Sequence, residues 1–337
     1  MIQGHGDDIY QYKNIEINFS SNVDTHQDLS ALRKHLIEQI GSIHSYPEPN
    51  ADSLIQLLAE KNEVSESNIC VTNGATEAIY LIAQAFRNAN TAILVPTFSE
   101  YEDACTLNGH HLSFLNNLSE SKGFDMVWLC NPNNPTGFAH SKADLEKTIT
   151  SHKNTLFIID QSYEHFSLEK VFSIKEALHY PNLIVLHSMT KHFAIPGLRL
   201  GYLSGNANWI KRINKYRMPW SVNQLAIEAG KFLETEYNNK VNLNLHLKLT
   251  QELQEELSKI EELKIYPTST HFFLCKIRDK QFTALDLKNY LAEHFGILIR
   301  DCSNFRGLTP QHFRIASQTK EQNKQLVEAI KQWTIHY

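Results

Sequence analysis

Several signatures are missing from these 337 residues, and each absence closes off a class of function. The five cysteines, Cys70, Cys105, Cys130, Cys275 and Cys302, are odd in number, and no two form a CxxC pair. That argues against a disulfide framework or a zinc knuckle and fits a reducing cytoplasm. None of the seventeen histidines stands in HxxxH or HExxH spacing, so no metal is expected. No apolar run reaches the ~20 residues that span a bilayer. The opening MIQGHGDDIYQYKN has no apolar signal-peptide core. Basic charge is not in excess: 32 Lys and Arg stand against 37 Asp and Glu, a net charge of -5. Such a balance has no global attraction for nucleic acid or an anionic membrane, although a local basic pocket stays open. Repeats, low-complexity tracts and long linkers are also absent.

What is present reads as a folded α/β chain, 42% hydrophobic and 20% charged. Its length suggests one large and one smaller domain. Residues 28–41, DLSALRKHLIEQIG, read as an amphipathic helix with a terminal glycine, and a second helix is expected over 51–62. Short apolar runs then alternate with helical patterns. The strand candidates are ICVT (69–72), AILV (92–95), MVWLC (126–130), LFIID (156–160), LIVLHS (183–188) and LRLGYL (198–203). The clearest helix, ATEAIYLIAQAF (75–86), puts Ala75, Ala78, Ile79, Ile82 and Phe86 on one face. Strands that are apolar on both faces belong to a mostly parallel sheet covered by helices. His110 and His111, before a strand-like LSFL, read as a loop and strand start. After about residue 220 helical segments dominate to Leu263, and the short runs HFFLCKI, ILIR and HFRIA suggest a smaller α+β domain. The expected partition is a 1–35 segment packing with the small domain, a large domain over 36–230 and a small one over 231–337.

Four stretches carry chemistry. NPNNPTG (131–137) is a tight turn after an apolar strand, and ligands of open α/β sheets bind outside strand carboxyl ends. LFIIDQSY (156–163) ends a buried strand in a carboxylate, Asp160, able to hold a cation such as a protonated pyridine nitrogen. VTNGATEAIYL (71–81) sets Gly74, Ala75 and Thr76 at a helix N-terminus, where free N–H groups and the helix dipole favour a phosphate. HSMTKHFAIPGLRLGYL (187–203) isolates Lys191 between the hydroxyls of Ser188 and Thr190 and an apolar run, with Arg199 eight residues on. A desolvated lysine suits Schiff-base chemistry, and an arginine fork suits a phosphate. Each stretch alone is compatible with an ordinary turn, cap or strand end. Together, in this order along one sheet, they suit pyridoxal 5'-phosphate.

On these motifs the chain resembles the fold-type-I pyridoxal-phosphate enzymes of aminotransferase class I/II, over nearly its whole length. The resemblance implies the following roles. Lys191 is the Schiff-base lysine, and Asp160 pairs with the ring nitrogen. Asn134 and Tyr163 bond the ring 3'-oxygen, and Phe98 stacks on the ring. Gly74, Ala75, Thr76, Ser188, Thr190 and Arg199 hold the phosphate. Tyr46, in SYPEP, resembles the tyrosine that reaches the neighbouring subunit's cofactor phosphate, which implies a homodimer with shared active sites. One departure is Gln161, where the usual motif has Glu; its side chain is expected to point away from the ring.

Within the family the chain resembles two branches that act on phosphorylated substrates, threonine-phosphate decarboxylases and histidinol-phosphate aminotransferases. TKHFAIPGLRLGYL, RMPWSVNQLA (217–226), ILIRDCSNFRGL (297–308) and the opening GHGDD resemble the decarboxylase branch. Tyr163 is what the aminotransferase branch carries. The first resemblance implies decarboxylation of L-threonine O-3-phosphate in cobalamin-type biosynthesis, with His5, Asn134, Arg300 and Arg314 around the substrate. Arg314 would take the α-carboxylate, and Arg300 and His5 the phosphate. Amino transfer on histidinol phosphate stays open as the alternative.

Overall fold

Apolar runs of four to six residues become the buried strands of the computed structural model, which describes residues 7–24, 26–237 and 242–336. His5 lies outside the described residues. The strands are β1 (Ile17–Asn18), β2 (Ile69–Thr72), β3 (Asn90–Leu94), β4 (His111–Leu115), β5 (Met126–Cys130), β6 (Leu156–Asp160), β7 (Leu183–Ser188), β8 (Gly201–Gly205), β9 (Leu263–Ile265), β10 (Phe272–Ile277), β11 (Ile297–Leu298), β12 (Arg300–Asp301) and β13 (His312–Ala316). The helices are α1 (Ser30–Glu38), α2 (Asp52–Asn62), α3 (Gly74–Ala85), α4 (Glu100–Leu107), α5 (Lys142–Ser151), α6 (Ile174–Ala177), α7 (Met189–His192), α8 (Ala207–Asn214), α9 (Gln224–Thr235), α10 (Leu243–Leu257), α11 (Ala284–Phe295) and α12 (Lys320–His336).

Seven strands form the main sheet in the order β2-β8-β7-β6-β5-β3-β4. Its members run parallel except β8, which is antiparallel to both neighbours. β5, β6 and β7 are buried at every position, because helices cover both faces. A second, antiparallel sheet has the order β12-β13-β10-β9. β1 pairs with β11, and Ile17 and Phe19 bury in the same cluster as Phe273, Ile299 and Trp333. The amino-terminal strand therefore forms a two-stranded sheet of its own with β11 and packs in the core of the smaller sheet. Among the described residues no helix is long and apolar enough to cross a membrane.

Four sequence expectations need correction. The strand expected over 198–203 begins only at Gly201. Pro196–Leu198 form a 3-10 turn, and Arg199 takes a left-handed backbone (φ 58°) that redirects the chain. The helix expected over 28–41 is α1 alone, followed by a 3-10 turn at Ile40–His44, so Gly41 is not its cap. ILIR divides: Ile297–Leu298 pair with β1, whereas Arg300 and Asp301 pair with β13. β3 stops at Leu94 because Pro96 has no N–H to continue a ladder.

Candidate active site

Register brings the carboxyl ends of β5, β6 and β7 together. Cys130 lies opposite Asp160, and Asp160 opposite Leu186, two residues before Ser188. The turns leaving these ends carry Asn134, Tyr163 and Lys191. They line one cavity of about 210 Å3 together with Ala75, Thr76, Phe98, Asp160, Ser188, Thr190, Arg199, Arg300 and Arg314. Residues between 75 and 314 in the sequence thus meet at the sheet edge where ligands of this architecture bind.

One end of the cavity is built on the start of α3, where the resemblance expects a phosphate. No side chain caps this helix, so the N–H groups of its first turn stay available. Gly74 has φ +77°, and a Cβ there would lie 2.6 Å from Arg199 Nη2. The guanidinium is therefore packed directly over the helix start. On the other side, Ser188 and Thr190 hydroxyls lie 2.8 Å apart. Gly74→Ala should displace Arg199 and strain the turn, weakening cofactor retention by about tenfold, equivalent to ~1.4 kcal/mol. Absorbance titration of cofactor into the cofactor-free variant measures this; unchanged affinity would show that Arg199 does not anchor there.

At the opposite end of the cavity, Asp160 is buried. Its Oδ2 accepts from Tyr101 Oη at 2.7 Å and its Oδ1 from the Ser162 N–H at 2.8 Å. Among the described residues no Lys or Arg forms an ion pair with it. A buried carboxylate in that condition suits a cationic ring nitrogen. Phe98 packs edge-on against Tyr101, whose ring stacks on Trp128. Burial pushes the Tyr163 phenol up to about 12, so it is a neutral hydroxyl, and it accepts from Asn22 Nδ2 at 3.2 Å.

Lys191 leaves β7 on the single turn of α7. Burial is the largest influence on its ammonium, Arg314 and Arg199 push the same way, and Asp7 and Asp160 oppose them. The result is a pKa lowered to about 8, which leaves about a tenth of the amine neutral at pH 7. Arg314, from β13, donates through Nη1 to Asn134 Oδ1 and through Nη2 to the Ser20 carbonyl. Its Nε and Asn22 Oδ1 are buried without partners. Such orphaned polar atoms in a cavity wall fit a bound polar molecule. Arg300 donates to Asn304 Oδ1 at 2.9 Å and lies over the Phe305 ring.

Two further positions lie outside the cavity. Tyr46 is 84% exposed, lies tilted against Trp220 and does not line its own chain's cavity. Gln161 is buried away from the cavity, where its amide exchanges two hydrogen bonds with the Phe172 backbone. His110 is structural, bonded to Thr91 Oγ1 and the Ala83 carbonyl.

Sequence reasoning missed Asp7, Ser20, Asn22, Tyr101 and Phe305, all in the cavity wall. The polar run SSN after INF, and Tyr101 three residues after Phe98, are the local signals that point to some of them. The two acids of GHGDD part company. Asp7 faces the cavity and accepts from Asn18 Nδ2 at 2.6 Å, whereas Asp8 pairs with the buried Lys288 of α11.

A family model described as aminotransferase class I and II matches residues 14–330. A putative threonine-phosphate decarboxylase of Caldanaerobacter subterraneus subsp. tengcongensis is 32% identical, over 97% of this chain and 93% of that protein. A histidinol-phosphate aminotransferase of Thermoanaerobacter pseudethanolicus is 31% identical, over 97% of each chain. Among solved structures, the L-threonine-O-3-phosphate decarboxylase from Porphyromonas gingivalis superimposes with a TM-score of 0.91 at 38% identity, covering 94% of this chain and 99% of that one. The chain spans 38% of the length of one longer relative, a bifunctional adenosylcobalamin biosynthesis protein of Leptospira interrogans, at 30% identity over 93% of itself. A family match across almost the whole length, on a cavity whose residues fit pyridoxal 5'-phosphate, means that this chain belongs to the pyridoxal-phosphate-dependent aminotransferase class I and II family.

Proposed function

We propose that the chain decarboxylates L-threonine O-3-phosphate to (R)-1-amino-2-propanol O-2-phosphate, a lyase step of cobalamin-type biosynthesis. The observation that carries this reading is the pairing of Arg300 with Arg314. They are cross-strand partners on β12 and β13, and both line the cavity. Phosphothreonine carries two anions, a carboxylate and a phosphate, and two arginine forks suit both. Arg314, held by Asn134 and Ser20, takes the carboxylate, and Arg300 takes the phosphate.

Pyridoxal phosphate, when bound, supplies an electron sink for the pair released at the substrate's α-carbon. The buried carboxylate of Asp160 would hold the ring nitrogen in its protonated form. Asn134 and Tyr163 would hold the 3'-oxygen, and Phe98 would cover the ring face. Lys191 Nζ, its pKa lowered to about 8, holds a proton that it can deliver to the α-carbon after carbon dioxide has left. In amino transfer the same amine removes the α-proton instead. The clamp on the substrate therefore decides which bond breaks, while the catalytic residues stay the same.

Amino transfer on histidinol phosphate is the second reading, supported by a relative of that name with nearly equal identity and coverage. A single-turnover assay separates the two. Phosphothreonine should release one equivalent of carbon dioxide with the cofactor spectrum restored. Conversion of the cofactor to its amine form by histidinol phosphate, then recovery with 2-oxoglutarate and no carbon dioxide from phosphothreonine, would replace the decarboxylase reading.

A homodimer belongs to this proposal. Ile37, Ile40, Ile43, Tyr46, Met218 and Trp220 are large apolar residues exposed on the single chain. A cluster of this kind suits a subunit interface. Tyr46, unable to serve its own cavity, would reach the partner's phosphate. A cytoplasmic setting accords with five buried free cysteines.

A further inference from the structure

Outside the cavity, folding gathers a second set of donor atoms. Asp24 follows the cavity-lining run from Ser20 to Val23, His26 stands two residues on, and His246 lies in the first turn of α10. Asp24 Oδ1 is 3.5 Å from His26 Nδ1 and 3.8 Å from His246 Nε2, and the three donor atoms all lie within 4.8 Å of one another. The first separation is past the usual hydrogen-bond range, and the second is beyond any useful bond. Both approach the spacing of two donors on one ion: ligands at ~2.0–2.2 Å around a tetrahedral zinc sit roughly 3.4 Å apart.

The surroundings are those of a built site. The side chains of Asp24 and His246 are 1% and 8% exposed. Gln27 Nε2 donates to Asp24 Oδ2 at 2.7 Å, the His26 N–H donates to Oδ1 at 3.0 Å, and Tyr237 Oη donates to Gln27 Oε1. This relay fixes the carboxylate's orientation, as outer partners do around bound metals. Among the described residues no Lys or Arg forms an ion pair with Asp24, so its buried charge lacks a permanent cation. His26, at 32% exposure, leaves one side open to solvent.

We propose that Asp24, His26 and His246 bind one divalent transition-metal ion of the zinc class, with water completing the tetrahedron on the His26 side. Two imidazoles and one carboxylate are a donor set for such ions rather than for calcium or magnesium. The ion would tie the segment after Val23 to α10. That segment reaches the active site directly, because the Asp24 N–H donates to the Lys191 carbonyl at 3.0 Å. The ion thus acts as a clamp on the loop that carries the lysine, and it stands whichever reaction the cavity runs.

The test uses tag-free holoprotein, treated with chelator and then dialysed against micromolar zinc. Metal analysis should find one equivalent per chain, and cobalt(II) in its place should give visible tetrahedral bands. His26→Ala removes an exposed ring and should leave the fold intact by circular dichroism, yet weaken zinc binding at least about tenfold. Zinc should raise the melting temperature of the wild type and of His179→Ala, an exposed imidazole elsewhere, but not of His26→Ala or His246→Ala. Absence of bound zinc in the wild type, or wild-type stoichiometry and affinity in both His26→Ala and His246→Ala, would overturn the proposal.

Discussion

Lys191→Ala should lower kcat by at least ~10³-fold, with the folded state retained. Proton transfer by a positioned group contributes roughly 10²- to 10⁴-fold, and under the proposed reading this amine would also attach the cofactor, so both contributions would go together. No second amine stands ready, because Lys191 is the one lysine in the cavity wall among the described residues. Steady-state kinetics with phosphothreonine, and with histidinol phosphate, give the measurement under either reading. Retention of more than a tenth of wild-type activity would remove Lys191 from the chemistry. A companion measurement concerns pH. Folding lowers this ammonium from 10.5 to about 8. Below that value the lysine is protonated in both states, and burying its charge opposes folding. As pH rises from about 8 towards 10.5, the folded chain sheds the proton while the unfolded chain keeps it, so stability increases. The gain is of the order of 3 kcal/mol at most. Urea unfolding of the cofactor-free protein near the two ends of that window should show the rise in the wild type and its absence in Lys191→Ala.

Asp160→Asn should cost on the order of 10²- to 10³-fold in kcat. An amide has the carboxylate's shape, and its oxygen can still accept from the Ser162 N–H, so the turn after β6 should survive. What it lacks is the negative charge. Breaking a buried, hydrogen-bonded charge pair costs about 2–5 kcal/mol, and the ring nitrogen would lose its ionic partner while still held in the same place. The loss should appear in kcat, with KM changed little, because the charge acts on the transition state more than on substrate binding. An Asp160→Asn enzyme within about threefold of wild type, with normal cofactor content, would mean that the carboxylate serves only Tyr101 and Ser162.

Much of this site was readable in the chain because its residues leave strand ends. Asp160 closes β6 and Lys191 follows β7 by three residues. In such turns the side chain travels with the strand that precedes it, so a strand read correctly brings its end residues to the cavity wall. Arg199 was readable as a residue and misread as backbone. An apolar LRLGYL suggests a strand, but the left-handed turn at Arg199 delays β8 to Gly201. Packing produces that turn, since it lays the guanidinium against Gly74, and no periodicity reports it. Arg300 shows the same thing on a smaller scale. The break between Leu298 and Arg300 hands the chain from one sheet to another and turns the arginine beside Arg314.

Strand rhythm and turn chemistry, with the family resemblance they carry, were enough for the architecture, the cofactor and most of the residues that line the cavity. These are local matters, set within a strand and the turn it feeds. Other features exist only after folding. Asn22 meets Tyr163 across 141 residues, and Arg314 reaches Asn134 across 180. His246 comes to Asp24 from the far side of the chain, where no spacing motif could announce it. Tyr46, largely exposed, meets Trp220 across the sequence and stays outside the cavity of its own chain. Contacts so distant in sequence depend on how two sheets and an amino-terminal strand pack. The balance between decarboxylation and amino transfer, which rests on the substrate clamp, depends on that packing as well.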